Sequence, residues 1–83
     1  MAVLFTPEAA ADVLALPVAI QARLPEIWER LEQWPTVSGA KPLKREWKGH
    51  HRIRTGDYRI IFRPVGADVV IARIMHRSSV YDP

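Results

Sequence analysis

The sequence predicts an α+β domain: a small antiparallel β-sheet with an N-terminal helical hairpin packed on one face, in the order β-α-α-β-β-β. Three observations predict it. Helix signals fill residues 6–35, strand-like runs fill residues 50–76, and a loop punctuated by glycine and proline lies between them. The length of 83 residues suits a single domain over residues 1–83 with one modest core. With 48% hydrophobic and 25% charged residues, the composition is globular rather than disordered.

Residues 2–5, AVLF, form a short first strand. Thr6 then offers an N-cap, Pro7 fits the first helical position, and Glu8 suits the positive end of a helix dipole. Ala9, Val13 and Leu16 give this helix its apolar face, and Leu16 before Pro17 turns the chain. From Pro17 on, Ile20, Leu24, Ile27, Trp28, Leu31 and Trp34 follow the 3.6-residue period, with Glu26, Glu29, Arg30 and Glu32 mostly on the other side. Pro25 interrupts that pattern. An interior proline costs roughly 3 kcal/mol, which predicts a kink or two shorter helices meeting at Leu24-Pro25. Pro35 ends the element.

Residues 36–49 are a basic loop, pinned to the body by Leu43 and Trp47. Three strands follow, at about 50–55, 57–64 and 68–76. A turn at Thr55-Gly56 sets Ile53 opposite Tyr58 and Arg52 opposite Arg59. Strand alternation then sends Ile53, Tyr58, Ile60 and Phe62 toward the helices, and Arg52, Arg54, Arg59 and Arg63 to the other face. The third strand, DVVIARIMH, is apolar on both faces and leaves the side of Arg73 open.

Charge divides the chain. Residues 1–40 carry two basic side chains against five acids, a net −3; residues 41–83 carry ten against four, a net +6. The first half reads as scaffold and the second as a surface for a polyanion. A row of guanidinium groups on one sheet face fits phosphates, and two directly opposed arginines repel unless an anion lies between them. Cysteine is absent, which excludes disulfides, thiolate metal sites and a thiol nucleophile. There is no HExxH pattern and no glycine-rich phosphate loop. His50 and His51 point to opposite faces of a strand, which argues against a zinc site built with His76. No apolar run approaches the roughly 20 residues that cross a bilayer. The start, MAVLFTPEAA, lacks a basic leader, so the expected compartment is the cytoplasm, with no membrane partner.

Arginines with a histidine and a tyrosine suit metal-free cleavage of RNA. The 2′-hydroxyl attacks the adjacent phosphorus, arginines stabilise the growing charge, and histidine moves a proton near neutral pH. The Leu43-Lys44 loop, Arg52-Ile53-Arg54, the run Gly56-Asp57-Tyr58-Arg59-Ile60-Ile61-Phe62, and the ending His76-Arg77 with Val80-Tyr81 resemble the RelE/ParE superfamily of bacterial toxins. The resemblance implies a type II toxin held in check by an antitoxin encoded beside it.

RelE-like members cut mRNA in the ribosomal A site, and the retained His76, Arg77 and Tyr81 favour that branch. By that resemblance the chain is a ribosome-dependent mRNA endoribonuclease that needs no metal or cofactor. Arg52, Arg54 and Arg59 hold the scissile phosphate, His76 moves a proton, Arg77 assists, and Tyr81 positions a base. Lys41, Lys44, Arg45, Lys48, Arg63 and Arg73 complete an RNA- and ribosome-binding surface. RelE itself has lysines where this chain has Arg52 and Arg54. Arginine stays protonated and is a poor base, so proton transfer falls to His76 or to a positioned 2′-hydroxyl with arginines stabilising charge. The alternative is the ParE-like branch, which shares the fold but poisons DNA gyrase without nuclease activity.

Overall fold

A computed structural model describes residues 1–79. Strand β1 (Ala2–Phe5) leads into helix α1 (Pro7–Ala15), and two further helices follow, α2 (Val18–Gln21) and α3 (Leu24–Leu31). The sheet continues with β2 (Lys41–Pro42), β3 (His51–Thr55), β4 (Tyr58–Val65) and β5 (Asp68–His76), in the spatial order β1-β5-β4-β3-β2. Neighbours β2 to β5 run antiparallel, but β1 lies parallel to β5, pairing Ala2 with Asp68 through Phe5 with Ile71. The sheet is therefore mixed rather than wholly antiparallel. The connection between these parallel neighbours runs through all three helices and strands β2 to β4, because a parallel neighbour cannot be reached through a tight turn.

The helices start where the side chains dictate. Thr6 caps α1 by accepting a hydrogen bond from the Ala9 amide at 3.1 Å, with Pro7 in the first turn. The long second helix of the sequence pattern is two helices, broken at Ala22 and Arg23. The break puts Pro25 in the first turn of α3, where its missing N–H has no helical partner to lose. Gln21 bridges the helical layer by donating its side-chain amide to the Val13 carbonyl at 2.7 Å.

Ala9, Leu16, Leu24, Ile27 and Leu31 from the helices meet Ile53, Ile60, Phe62, Val69, Ile71 and Ile74 from the sheet in the main core. Each large apolar side chain fully removed from water contributes about 1.5–3 kcal/mol, so this layer dominates the stability of the fold. Tyr58 packs at its margin, so the expected helix-facing set of Ile53, Tyr58, Ile60 and Phe62 is observed. On the other face a smaller cluster holds Leu43 and Ile61, with Trp47, Ala72 and Met75 against them. Leu43 and Trp47 thus pin the basic loop, and the first of them leads directly from the short strand β2.

The β3–β4 turn differs from the expected one. Thr55 pairs with Tyr58, so the two-residue loop is Gly56-Asp57, and Arg54, not Arg52, stands opposite Arg59. The correction has a backbone cause. Gly56 has φ +57, and a glycine at the first loop position is what a two-residue hairpin of this hand demands. The β4–β5 hairpin repeats the device with Gly66 at φ +58, between the paired Val65 and Asp68.

Candidate nucleic-acid interface

Alternation from Ile53 and Ile60 places Arg52, Arg54, Arg59 and Arg63 on the face away from the α-helices. In a two-residue hairpin the closing pair is hydrogen-bonded, so Arg54 and Arg59 form the next, non-hydrogen-bonded pair, with Cα atoms about 4.5 Å apart. Their stems therefore rise close together. Arg54 and Arg63 are exposed, Arg59 is half-buried, and Arg52 is only 5% exposed. Arg52 is covered from the side where Lys41 of β2 pairs with it. Arg45, Arg52, Arg54 and Arg59 are all engaged in interactions within the chain. An arriving anion joins or displaces those contacts rather than meeting idle side chains.

Beside this row the chain from Lys44 to Trp47 borders a depression of about 270 Å³ whose lining includes Lys44, Arg45, Glu46 and Trp47. Arg45 has φ +61, in the left-handed region that a non-glycine residue rarely occupies. Lys41 and Lys48 are exposed on the same loop. Trp47 contacts the His50 ring edge-to-face at 5.1 Å between centroids. One feature here was not legible in the sequence: the left-handed backbone at Arg45, which leaves no periodic or compositional mark.

The other expected residues are dispersed. Arg73 does not join the arginine row. Its guanidinium is held at the edge of β5 by Asp12 of α1, at 2.7 Å from Nε and 3.3 Å from Nη2. That hydrogen bond, more than the opposing effect of burial, raises the Arg73 pKa above its ordinary value. His76 pairs with Tyr58 across the sheet and meets its ring at right angles, 5.3 Å between centroids. Since Tyr58 packs on the helical core, His76 lies on the face opposite Arg59. The His76 Nδ1 also lies 2.8 Å from the Ser78 hydroxyl. Arg77 stands at the hairpin tip, where its amide donates to the Asp57 carbonyl at 2.7 Å and its Nε sits 3.7 Å from the Asp57 carboxylate. Both side chains of that ion pair are well exposed, so it contributes little to stability. Tyr81 lies outside the described residues.

His51 belongs to the core side. Its ring lies 4.9 Å from Trp34 and 5.8 Å from Phe62, and desolvation, with His50 second, lowers its pKa below 6.5. Among the described residues, no three His, Asp or Glu side chains gather as a metal site. No helix of the described residues is long and apolar enough to cross a membrane.

Residues 3–81 match the family of ParE toxins of type II toxin–antitoxin systems, parDE. The chain is 33% identical over 85 residues to Toxin RelE3 of Methanocaldococcus jannaschii, covering 99% of this chain and 97% of that protein. It is 38% identical over 80 residues to Toxin RelG of Mycobacterium tuberculosis, covering 93% and 91% respectively. Among solved structures it superposes on a chain of the RelBE2 toxin–antitoxin complex of Mycobacterium tuberculosis with a TM-score of 0.76 and 35% identity, covering 92% of this chain and 96% of that one.

Proposed function

The chain belongs to the ParE toxin family of type II toxin–antitoxin systems, within the RelE/ParE superfamily, and from that membership we propose that it is a ribosome-dependent mRNA endoribonuclease. The observation that carries the proposal is the close pair Arg54 and Arg59, with Arg52 beside it, on the helix-free face. Relatives named as RelE-type toxins support the RNA-cleaving branch.

In the proposed reaction the 2′-hydroxyl of one nucleotide attacks the adjacent phosphorus. The bond to the 5′-oxygen of the next nucleotide breaks, leaving a 2′,3′-cyclic phosphate and a 5′-hydroxyl. Arg54 and Arg59 grip the phosphate from two strands, and Arg52 adds charge from below. Their charge meets the negative charge that builds on the phosphoryl oxygens. Arginine remains protonated, so this face works by position and charge. His76, on the other side of the sheet, is assigned the proton only where the RNA passes the Arg77 end of the hairpin. Lys41, Lys44, Arg45, Lys48 and Arg63 hold the flanking RNA and the ribosome, and Tyr81 is assigned to base positioning.

The test compares wild type with Arg59→Ala on programmed ribosomes, read by primer extension. Removing one transition-state donor lowers the cleavage rate by roughly 10²–10³-fold. The variant keeps the wild-type melting temperature within a few degrees, since Arg59 is not part of the core. Unchanged cleavage by the variant would sink the proposal. The match to the ParE family favours a second reading, in which the toxin poisons DNA gyrase. Double-strand breaks and lost supercoiling, with ribosomal mRNA intact, would support that reading instead.

An antitoxin is proposed as the partner, because the RelBE2 structure is a toxin–antitoxin complex. An acidic antitoxin segment laid over the arginine face would block RNA entry and satisfy the cations at once. The proposed action on ribosomes implies a cytoplasmic protein.

A further inference from the structure

Strand β5 carries one residue too many for its partner. Ile61 of β4 pairs with Arg73 and Phe62 with Ile71, which leaves Ala72 without an opposite number. The insertion is a β-bulge, and it reverses which residues face the helices. Before it, Val69 and Ile71 face the core; after it, Ile74 does, at a spacing of three instead of two. His76 therefore falls on the helical side with Tyr58, while Met75 falls on the other face opposite Arg59. Without the bulge these assignments would exchange.

The bulge is fastened to α1. Pairing with β1 stops at Ile71, so among the described residues β5 beyond that point has no strand on that edge. The Thr6 backbone and two side chains, those of Thr6 and Asp12, supply bonds there. The Thr6 amide donates to the Ile71 carbonyl at 3.0 Å, and the Thr6 hydroxyl donates to the Ala72 carbonyl at 2.8 Å. The Asp12 carboxylate accepts from the Ile74 amide at 2.9 Å and from Arg73 through two nitrogens. One carboxylate thus stands in for a strand edge and holds the two residues that follow the extra one, while Thr6 holds the carbonyls of Ile71 and Ala72. Charge-assisted bonds of this kind are stronger than neutral ones.

We propose that Asp12 is a positioning residue for the RNA site, acting through the β5 bulge to set Met75 beside Arg59 and Arg77 against Asp57 at the hairpin tip. This rests on the arginine face being the site of cleavage. Asp12 touches no substrate. Its carboxylate fixes the strand parity, and the parity fixes what neighbours Arg59.

The experiment uses the full chain carrying Asp12→Ala or Asp12→Asn, with two independent readouts. Nuclear magnetic resonance follows amide exchange at Ile74 and the ring contact between Tyr58 and His76. Single-turnover cleavage on programmed ribosomes separates kcat from KM. Asp12→Ala should expose the Ile74 amide to exchange and lose the Tyr58–His76 contact while the contact of Ile53 with Ile60 persists. Its kcat should fall up to about a hundredfold with KM little changed, as a displacement near 1 Å of a catalytic group does. Asp12→Asn keeps a carbonyl acceptor for the Ile74 amide and should recover part of both signals. An unchanged ring contact, or unchanged kcat in a variant that has lost the contact, overturns the proposal. If wild type itself fails to cleave mRNA, the cleavage reading fails, and an intact ring contact in Asp12→Ala still overturns the positioning role separately.

Discussion

At the scale of single residues, environment decides what chemistry a side chain offers. His50 and His51 are adjacent in sequence but meet different partners, Trp47 for the first and Trp34 with Phe62 for the second. The Nδ1 atoms of both are buried without a hydrogen-bond partner among the described residues. At His51 burial disfavours a charged ring, so it stays neutral in the fold at pH values where it is already protonated in the unfolded chain. Its contribution to stability is complete above its ordinary value of 6.5 and is lost as pH falls from there through its lowered folded value. Acid titration of urea midpoints should show this loss, and His51→Phe should flatten that part of the profile. An identical slope in the variant would remove His51 as the cause. Arg73 shows the same lesson with the opposite sign: its sequence context matches the phosphate-binding arginines, but Asp12 occupies it.

At the scale of elements, turns and bulges set the site more than strand propensity does. The strands stand close to their expected positions, but the turn lies one residue later, and that shift replaced the expected Arg52–Arg59 pair with Arg54–Arg59. Parity survived the change because the register moved by two residues in the pairing sum, so the same side chains still face the helices. The two hairpin glycines can be ranked. A Cβ at Gly66 would meet nothing within 4 Å, whereas one at Gly56 would sit 3.3 Å from both the Ile20 Cδ1 and the Arg23 Nη1. Positive φ alone costs an alanine about 1–2 kcal/mol. Gly66→Ala should lose about that much, and Gly56→Ala somewhat more, because α2 must yield at the hairpin tip. Denaturant melts of the two variants check the order, and a less stable Gly66→Ala would contradict it.

At the scale of the whole molecule, the charge division of the sequence becomes a division of faces. The acidic first half forms the helical layer and edge strand β1, and the basic second half builds the other four strands and most of the loop that covers part of the sheet's other side. Binding to single-stranded RNA should accordingly be salt-dependent. About three phosphate contacts from Arg52, Arg54 and Arg59 give a slope of roughly −2 in log K against log salt. Replacing Arg54 and Arg59 together by alanine should flatten the slope by roughly 1.4. A slope unaffected by that replacement would place the RNA elsewhere on the protein.

The sequence alone determined the α+β class, the capped first helix, the break before α3 and the set of arginines that share a sheet face. These rest on local rules, periodicity and proline chemistry, which need no knowledge of distant residues. Only the tertiary structure decided that β1 lies parallel to β5, that Arg54 faces Arg59, and that His76 sits behind the arginine face. The apolar run from Val69 to Ile74 fits either strand parity, so nothing local marks the bulge in it. Asp12 and Thr6, some 60 residues earlier in the chain, select one parity by bonding to its open edge. A choice made by contacts that distant cannot be read from the strand that obeys it.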